Sequence, residues 1–365
     1  MTRPRIPCSA PAPREDAAAV RAAVERVLAS GWYILGPEVE AFEAEFAAAC
    51  AAASAIGVGN GTDAIAVILR ALGIGPGDEV ITSPLSAAYT ALAIMMTGAR
   101  PVFADVDSQC LTLDAAAVAG AITSKTRAIL PVHLYGQAAD MQALERVASR
   151  HGLALIEDCC QAHLATANGR PVGTIGIAGA FSFYPTKNLG ALGDGGAVVT
   201  NDSALAERVR RIRNGGQTDR YHHELPGINS RLDEMQAAIL SARLPFLAGW
   251  TASRRRLAST YRRALSHAPV RVLPERDPGH VYHLFVVRSA ARATLQQQLR
   301  NRGIETLVHY PIPIPEQAAV RDQDPRECPT AAQACQEVLS LPMYPSLSDA
   351  EVEEVAMSVS SFQEG

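Results

Sequence analysis

The chain has 365 residues, 48% of them apolar, with a formal charge of −4 and a pI of about 6.2. That length predicts roughly two domains with a sizeable core, and the charge gives no footing for a nucleic-acid or anionic-membrane partner. The seven cysteines are odd in number and lack framework spacing, so reduced thiols in a cytoplasmic protein are expected. The N-terminus lacks a continuous apolar signal segment. The longest apolar stretch, Ala87 to Met96, is shorter than the ~20 residues that span a bilayer.

In chain order, residues 14 to 30 read as an amphipathic helix stopped by Gly31. A second helix opens at Pro37, a favoured first helical position, and runs to about Cys50. From residue 55 short apolar runs alternate with helical stretches. Strands are expected at Ala55 to Val58, Glu79 to Thr82, Pro101 to Ala104, Arg127 to Val132 and Leu153 to Glu157, with helices at Thr62 to Leu72 and Asp140 to Arg150. This alternation predicts an α/β fold with a mostly parallel central sheet covered by helices. Further on, a helix from near Arg231 ends at Leu244-Pro245, and a long helix spans about Ala248 to Leu265. Val281 to Val287 reads as a strand, residues 291 to 301 as a helix, and residues 311 to 329 as a proline-rich loop. Ser348-Asp349-Ala350-Glu351 has the spacing of a capping box that starts the last helix. The expected division is a large domain over 1–245 and a smaller C-terminal α+β domain over 246–365. The arginines at 254–256 and 262–263 read as a solvated helix face.

Three segments carry chemistry. Asn60-Gly61-Thr62-Asp63 follows a strand and opens a helix, where free N–H groups and the positive dipole end suit a phosphate; an ordinary polar-capped turn would read the same. The run Gly57 to Gly61 lacks dinucleotide-fingerprint spacing, and no P-loop occurs. Asp158 ends an apolar strand at the sheet edge where α/β proteins place ligands. A carboxylate there is costly without a cationic partner, although a helix-capping Asp reads alike. Lys187, 29 residues later, lies between Phe181-Ser182-Phe183-Tyr184 and a glycine-rich run. A buried amine and an acid able to pair with a pyridinium nitrogen are what pyridoxal phosphate (PLP) chemistry needs. Ser182 is placed to bond a phosphate or to satisfy a turn. His222-His223 and His280-x-x-His283 have no matching ligand pair, and no metal site is expected.

The sequence resembles the DegT/StrS family of PLP-dependent nucleotide-sugar aminotransferases, of fold type I, the aspartate aminotransferase fold. The resemblance covers nearly the whole chain. It rests on Gly36 to Glu43, Gly59 to Ala64, Gly75 to Ile81, Pro131 to Gln137, Glu157-Asp158 with Gln161-Ala162-His163, the Lys187 segment, Asn229 to Glu234, and His309-Tyr310-Pro311.

The resemblance implies that Lys187 forms the internal aldimine and that Asp158 pairs with the pyridine nitrogen, these two being the catalytic pair. Gln161 would bond the phenolic oxygen, and Gly61, Thr62 and Ser182 would hold the phosphate. Asn229 would reach the phosphate of a neighbouring subunit, making a homodimer with active sites at the interface. Tyr33, Tyr184, Arg231, His309 and Tyr310 would contact substrate. Ser86-Ala87 occupies the place where the family carries Thr-aromatic, so the ring that stacks on the cofactor is missing; Tyr89 lies two positions away. The related dehydratases replace the lysine with histidine, and Lys187 argues against that activity. The implied reaction moves an amino group from L-glutamate to a nucleotide-linked keto sugar, most often dTDP-linked. Arg213 to Gly216 with Tyr221 to Glu224 resembles the branch acting at C3 of 6-deoxyhexoses. A non-catalytic regulator on the same fold and a nicotinamide-dependent oxidoreductase are the alternatives.

Overall fold

A computed structural model describes residues 4–321, 323–324 and 326–362. In chain order the elements begin with helices α1 (Ala17–Ser30) and α2 (Pro37–Ala49), then β1 (Ser54–Val58), α3 (Gly61–Ala71), β2 (Glu79–Thr82), α4 (Tyr89–Met95), β3 (Arg100–Phe103) and α5 (Ala115–Ala121). They continue with β4 (Thr126–Leu130), α6 (Met141–His151), β5 (Ala154–Asp158), the short hairpin of β6 (Thr166–Ala167) and β7 (Arg170–Pro171), then β8 (Ala178–Ser182), β9 (Gly196–Thr200) and α7 (Ser203–Arg213). After β10 (Gln217–Asp219) and β11 (His222–His223) come α8 (Glu234–Arg243) and α9 (Leu247–Ala264). The last elements are β12 (Arg271–Val272), β13 (Phe285–Arg288), α10 (Arg292–Asn301), α11 (Pro329–Glu337), β14 (Val338–Leu341) and α12 (Asp349–Ser360).

The central sheet has seven strands in the order β1-β9-β8-β5-β4-β2-β3. Strands β8, β5, β4, β2 and β3 pair in parallel, while β9 runs against both β8 and β1. The fold is thus the α/β, mostly parallel sheet that the sequence predicts. Successive strand residues feed opposite faces. Ile81, Ile129, Leu155 and Phe181 join one apolar layer with Phe42 and Phe46 of α2. Val80, Leu130, Ile156 and Ala180 join the other, under α3. Both faces are therefore buried, which explains strands that are apolar throughout. A second, antiparallel sheet, β12-β13-β14, packs with α9, α10 and α12 around Tyr261, Phe285, Leu299 and Val355.

Local signals set several boundaries. Gly31 ends α1 at φ 66, and the Ser348–Glu351 capping box starts α12. Helix α2 begins at Pro37 behind a glycine that has no capping side chain. Its cap comes from far away: the buried Glu234 carboxylate accepts the N–H groups of Gly36, Glu38 and Val39 at 2.8–2.9 Å.

Other expectations are corrected. The strand expected over Val281 to Val287 forms only from Phe285. Tyr282 has φ 45, and the N–H groups of Val281 and Leu284 go to the carbonyls of Gly136 and Tyr135 rather than to a strand. The helix expected from Arg231 starts at Glu234, because Arg231 instead donates to Asn214 Oδ1 at 3.1 Å. The arginine face of α9 is solvated only in part: Arg255, Arg256 and Arg263 are exposed, Arg262 is half-buried and Arg254 is buried. Arg254 is 5% exposed and donates to the carbonyls of Tyr282, His283 and Met343, and Arg255 donates to His280 O. These bonds tie α9 to the segment 280–283, whose Val281 carbonyl also accepts from Asn188 Nδ2 at 3.0 Å. Among the described residues, no helix is long and apolar enough to cross a membrane.

Candidate active site

Asp158 is the last residue of β5 and is buried. Its backbone is pinned to the next strand end: its N–H donates to Pro131 O at 2.9 Å and its carbonyl accepts from His133 N at 3.0 Å. Its side chain is pinned too. Oδ2 accepts from Thr90 Oγ1 at 2.8 Å, and Oδ1 accepts from the Cys160 N–H at 3.1 Å. Among the described residues, no cation forms an ion pair with it.

Lys187 follows β8 through a turn closed by its own N–H on Tyr184 O at 2.8 Å. Burial lowers the pKa of its amine, against the opposing pull of Cys160 and Asp158. The strand ends thus bring the amine into the electrostatic reach of the carboxylate.

The start of α3 forms the third side. Asn60 caps it by accepting from Asp63 N at 2.9 Å. Gly61 is required there: a Cβ would lie 2.7 Å from Ser182 Cβ and 2.8 Å from Cys160 Sγ. Gly61 and Ser182 therefore meet, and Thr62 is the next residue of the helix. The Ser182 hydroxyl accepts only a long bond, 3.4 Å, from Tyr184 N. Gln161 lies on the other flank, with Oε1 accepting from Tyr135 N at 2.7 Å and Nε2 donating to the Tyr310 hydroxyl at 3.0 Å.

This arrangement fits a pyridoxal phosphate. A buried carboxylate without a counter-ion suits a ring cation, a helix start narrowed by Gly61 and Ser182 suits a phosphate, and an amine made more neutral by burial suits covalent attachment.

The remaining candidates lie farther out. Tyr33 is 51% and Tyr184 53% exposed, and Asn229 is also exposed. His309 is half-buried, with Nδ1 2.8 Å from Ser340 Oγ, and burial followed by the charge of Lys187 lowers its pKa to about 4. Ser86 is buried and Ala87 half-buried. Tyr89 is exposed, and its neighbour Thr90 is the residue that touches Asp158.

Thr90 and Tyr135 were not legible as site residues. Thr90 meets Asp158 across 68 positions, and no short spacing announces such a pair. His133, Glu157 and Cys159 also converge, but the Glu157 oxygens and both His133 ring nitrogens are already engaged within the protein. Glu157 accepts from Gly173 N, Ile175 N and Gly176 N, each at 2.8 Å, and from His133 Nε2 at 3.0 Å. His133 Nδ1 accepts from Ala139 N at 3.1 Å, so Nε2 carries the hydrogen. The cluster holds loops beneath the site.

The sequence model of the DegT/DnrJ/EryC1/StrS aminotransferase family matches residues 14–360. The chain belongs to this family. It is an aminotransferase and therefore an enzyme. It is 51% identical over 332 residues to the dTDP-3-amino-3,4,6-trideoxy-alpha-D-glucose transaminase of Streptomyces venezuelae, covering 89% of this chain and 87% of that one. It is 47% identical over 345 residues to a "pleiotropic regulatory protein" of Geobacillus stearothermophilus, covering 93% of each. Among solved structures, that of S. venezuelae DesV in complex with a ketimine intermediate superposes with a TM-score of 0.94 at 48% identity, over 98% of each chain. The fold is that of the PLP-dependent aminotransferases.

Proposed function

We propose that this aminotransferase uses pyridoxal 5′-phosphate to move an amino group from an amino acid, L-glutamate, to C3 of a nucleotide-linked keto sugar, a dTDP-keto-6-deoxyhexose. The observation that carries the reading is the buried Lys187 amine, in the turn after β8, within the electrostatic reach of the buried Asp158 at the end of neighbouring β5, an acid that among the described residues has no ion-pair partner. Relatives support the position of amination. Those named for dTDP-3-amino sugars are 51%, 46% and 45% identical. Two named for UDP sugars, with a 3-dehydro and a 3-oxo group, are 44% and 40% identical. Carbon 3 is common to these names, whereas the nucleotide is not. The higher identities favour dTDP.

When bound, the cofactor supplies a cationic ring that draws electrons from the substrate carbon. The residues do the rest. Asp158, fixed by Thr90 and the Cys160 N–H, holds the proton on the ring nitrogen. The first turn of α3, with Gly61, Thr62 and Ser182, binds the phosphate. Gln161 faces the phenolic oxygen. The Lys187 amine would carry a proton between the substrate α-carbon and the cofactor, and its lowered pKa leaves more of it in the basic form. Such a shuttle contributes ~10²–10⁴-fold.

The exposed side chains of Asn229, Tyr33 and Tyr184 suit a second copy of the chain, so the working unit is a homodimer with shared active sites. The cofactor is held by the part spanning 1–245, and the part spanning 246–365 closes the site through His309 and Tyr310. Seven free cysteines fit a cytoplasmic location. The test is a visible spectrum of the protein supplied with PLP. A band that shifts on adding L-glutamate, and turnover with a panel of nucleotide keto sugars, are expected. A colourless protein would favour a regulatory role, as the name of the Geobacillus relative suggests.

A further inference from the structure

Gln161 fixes the direction of a chain of hydrogen bonds. The backbone N–H of Tyr135 can only donate, so the amide oxygen of Gln161 must be the atom facing it, at 2.7 Å. The amide nitrogen then faces the Tyr310 hydroxyl and donates to it at 3.0 Å. The Tyr310 oxygen is spent as an acceptor, and its own proton is left over. Among the described residues, no acceptor takes that proton.

The segment carrying Tyr310 is firmly held. The Tyr135 hydroxyl donates to the carbonyl of His309. Leu307 and Ser340 exchange backbone bonds of 3.3 and 2.8 Å, and Ser340 Oγ meets His309 Nδ1. The phenol therefore cannot swing far. Burial, and then the charges of Asp158 and Cys160, push its pKa up against the Gln161 bond. The phenol thus keeps its proton.

We infer that Tyr310 is a cofactor-contacting residue: paired with Gln161, it donates its free hydroxyl proton to the phenolic oxygen of the cofactor, instead of serving the sugar. This rests on the PLP reading above and replaces the substrate role that the sequence suggested for Tyr310. The consequence is electronic. The phenolic oxygen also attracts the proton on the nitrogen through which Lys187 holds the cofactor. A second donor drains charge from that oxygen, weakens its hold on the proton and lowers the pH at which the nitrogen loses it.

The experiment is a pH titration of the visible band in the PLP-loaded wild type and in Tyr310→Phe, with cofactor affinity measured by fluorescence. The variant keeps the ring, and circular dichroism checks its fold. The midpoint is expected to rise by about one pH unit, a tenfold change in proton affinity, with cofactor affinity several-fold weaker. An unchanged midpoint and affinity, with only the KM for the sugar raised, would make Tyr310 a substrate contact and overturn the inference. Absence of any visible band in the wild type would overturn the PLP reading and this inference with it.

Discussion

Thr90 Oγ1 donates to Asp158 Oδ2 at 2.8 Å. The bond joins the first turn of a helix to the end of a strand and gives the buried acid one of its two donors. Hydrogen bonds to charged groups contribute ~1.5–3 kcal/mol. Thr90→Val, which keeps the shape and removes the hydroxyl, is therefore expected to cost about that much in urea denaturation of the cofactor-free protein. Thr90→Ser should recover most of it. A valine variant as stable as the wild type would show that the bond does not anchor Asp158.

Lys187→Ala should abolish transamination and remove the glutamate-sensitive visible band, while circular dichroism and the hydrodynamic radius stay unchanged. Appreciable turnover by this variant would sink the assignment of the amine.

Glu234 replaces the missing cap of α2. Three N–H groups of one helix start converge on its carboxylate. An orphaned buried donor costs ~1–3 kcal/mol, so Glu234→Ala should lose about 3 kcal/mol or more in the same denaturation assay. Glu234→Gln, which keeps one acceptor, should lose less. Equal losses would mean that the charge, not the count of acceptors, sets the effect.

Burial is the leading cause that pulls His163 down from 6.5 to about 3, and the charge of Lys187 adds to it. The unfolded chain takes up this proton as the pH falls through about 6.5, whereas the folded chain does not until about 3. Between those values the unfolded state binds more protons, so stability falls as the pH is lowered and levels off below that window. His163→Leu should reduce the slope of stability against pH between 6 and 4 by up to about 1.4 kcal/mol per pH unit, the value for one proton. Urea midpoints measured across that range decide it; parallel slopes would refute the prediction.

The sequence by itself determined the fold class and the family. Apolar strands alternating with helices demand a doubly covered parallel sheet, because that is the arrangement that buries both faces of each strand. Pro37, Gly31 and the Ser348 capping box marked helix ends because their effects are local. Asp158 stood out because it ends an apolar run at the sheet edge, and Lys187 because it lies between an apolar-aromatic stretch and a glycine-rich run. The tertiary structure alone decided what depends on distant partners: Thr90 on Asp158, Glu234 at the start of α2, Arg254 buried on three carbonyls, and the direction of the Gln161–Tyr310 bond. None of these follows from periodicity or propensity. A side chain's hydrogen-bond partner is set by which chain segments the packed core places side by side, and that exists only after folding.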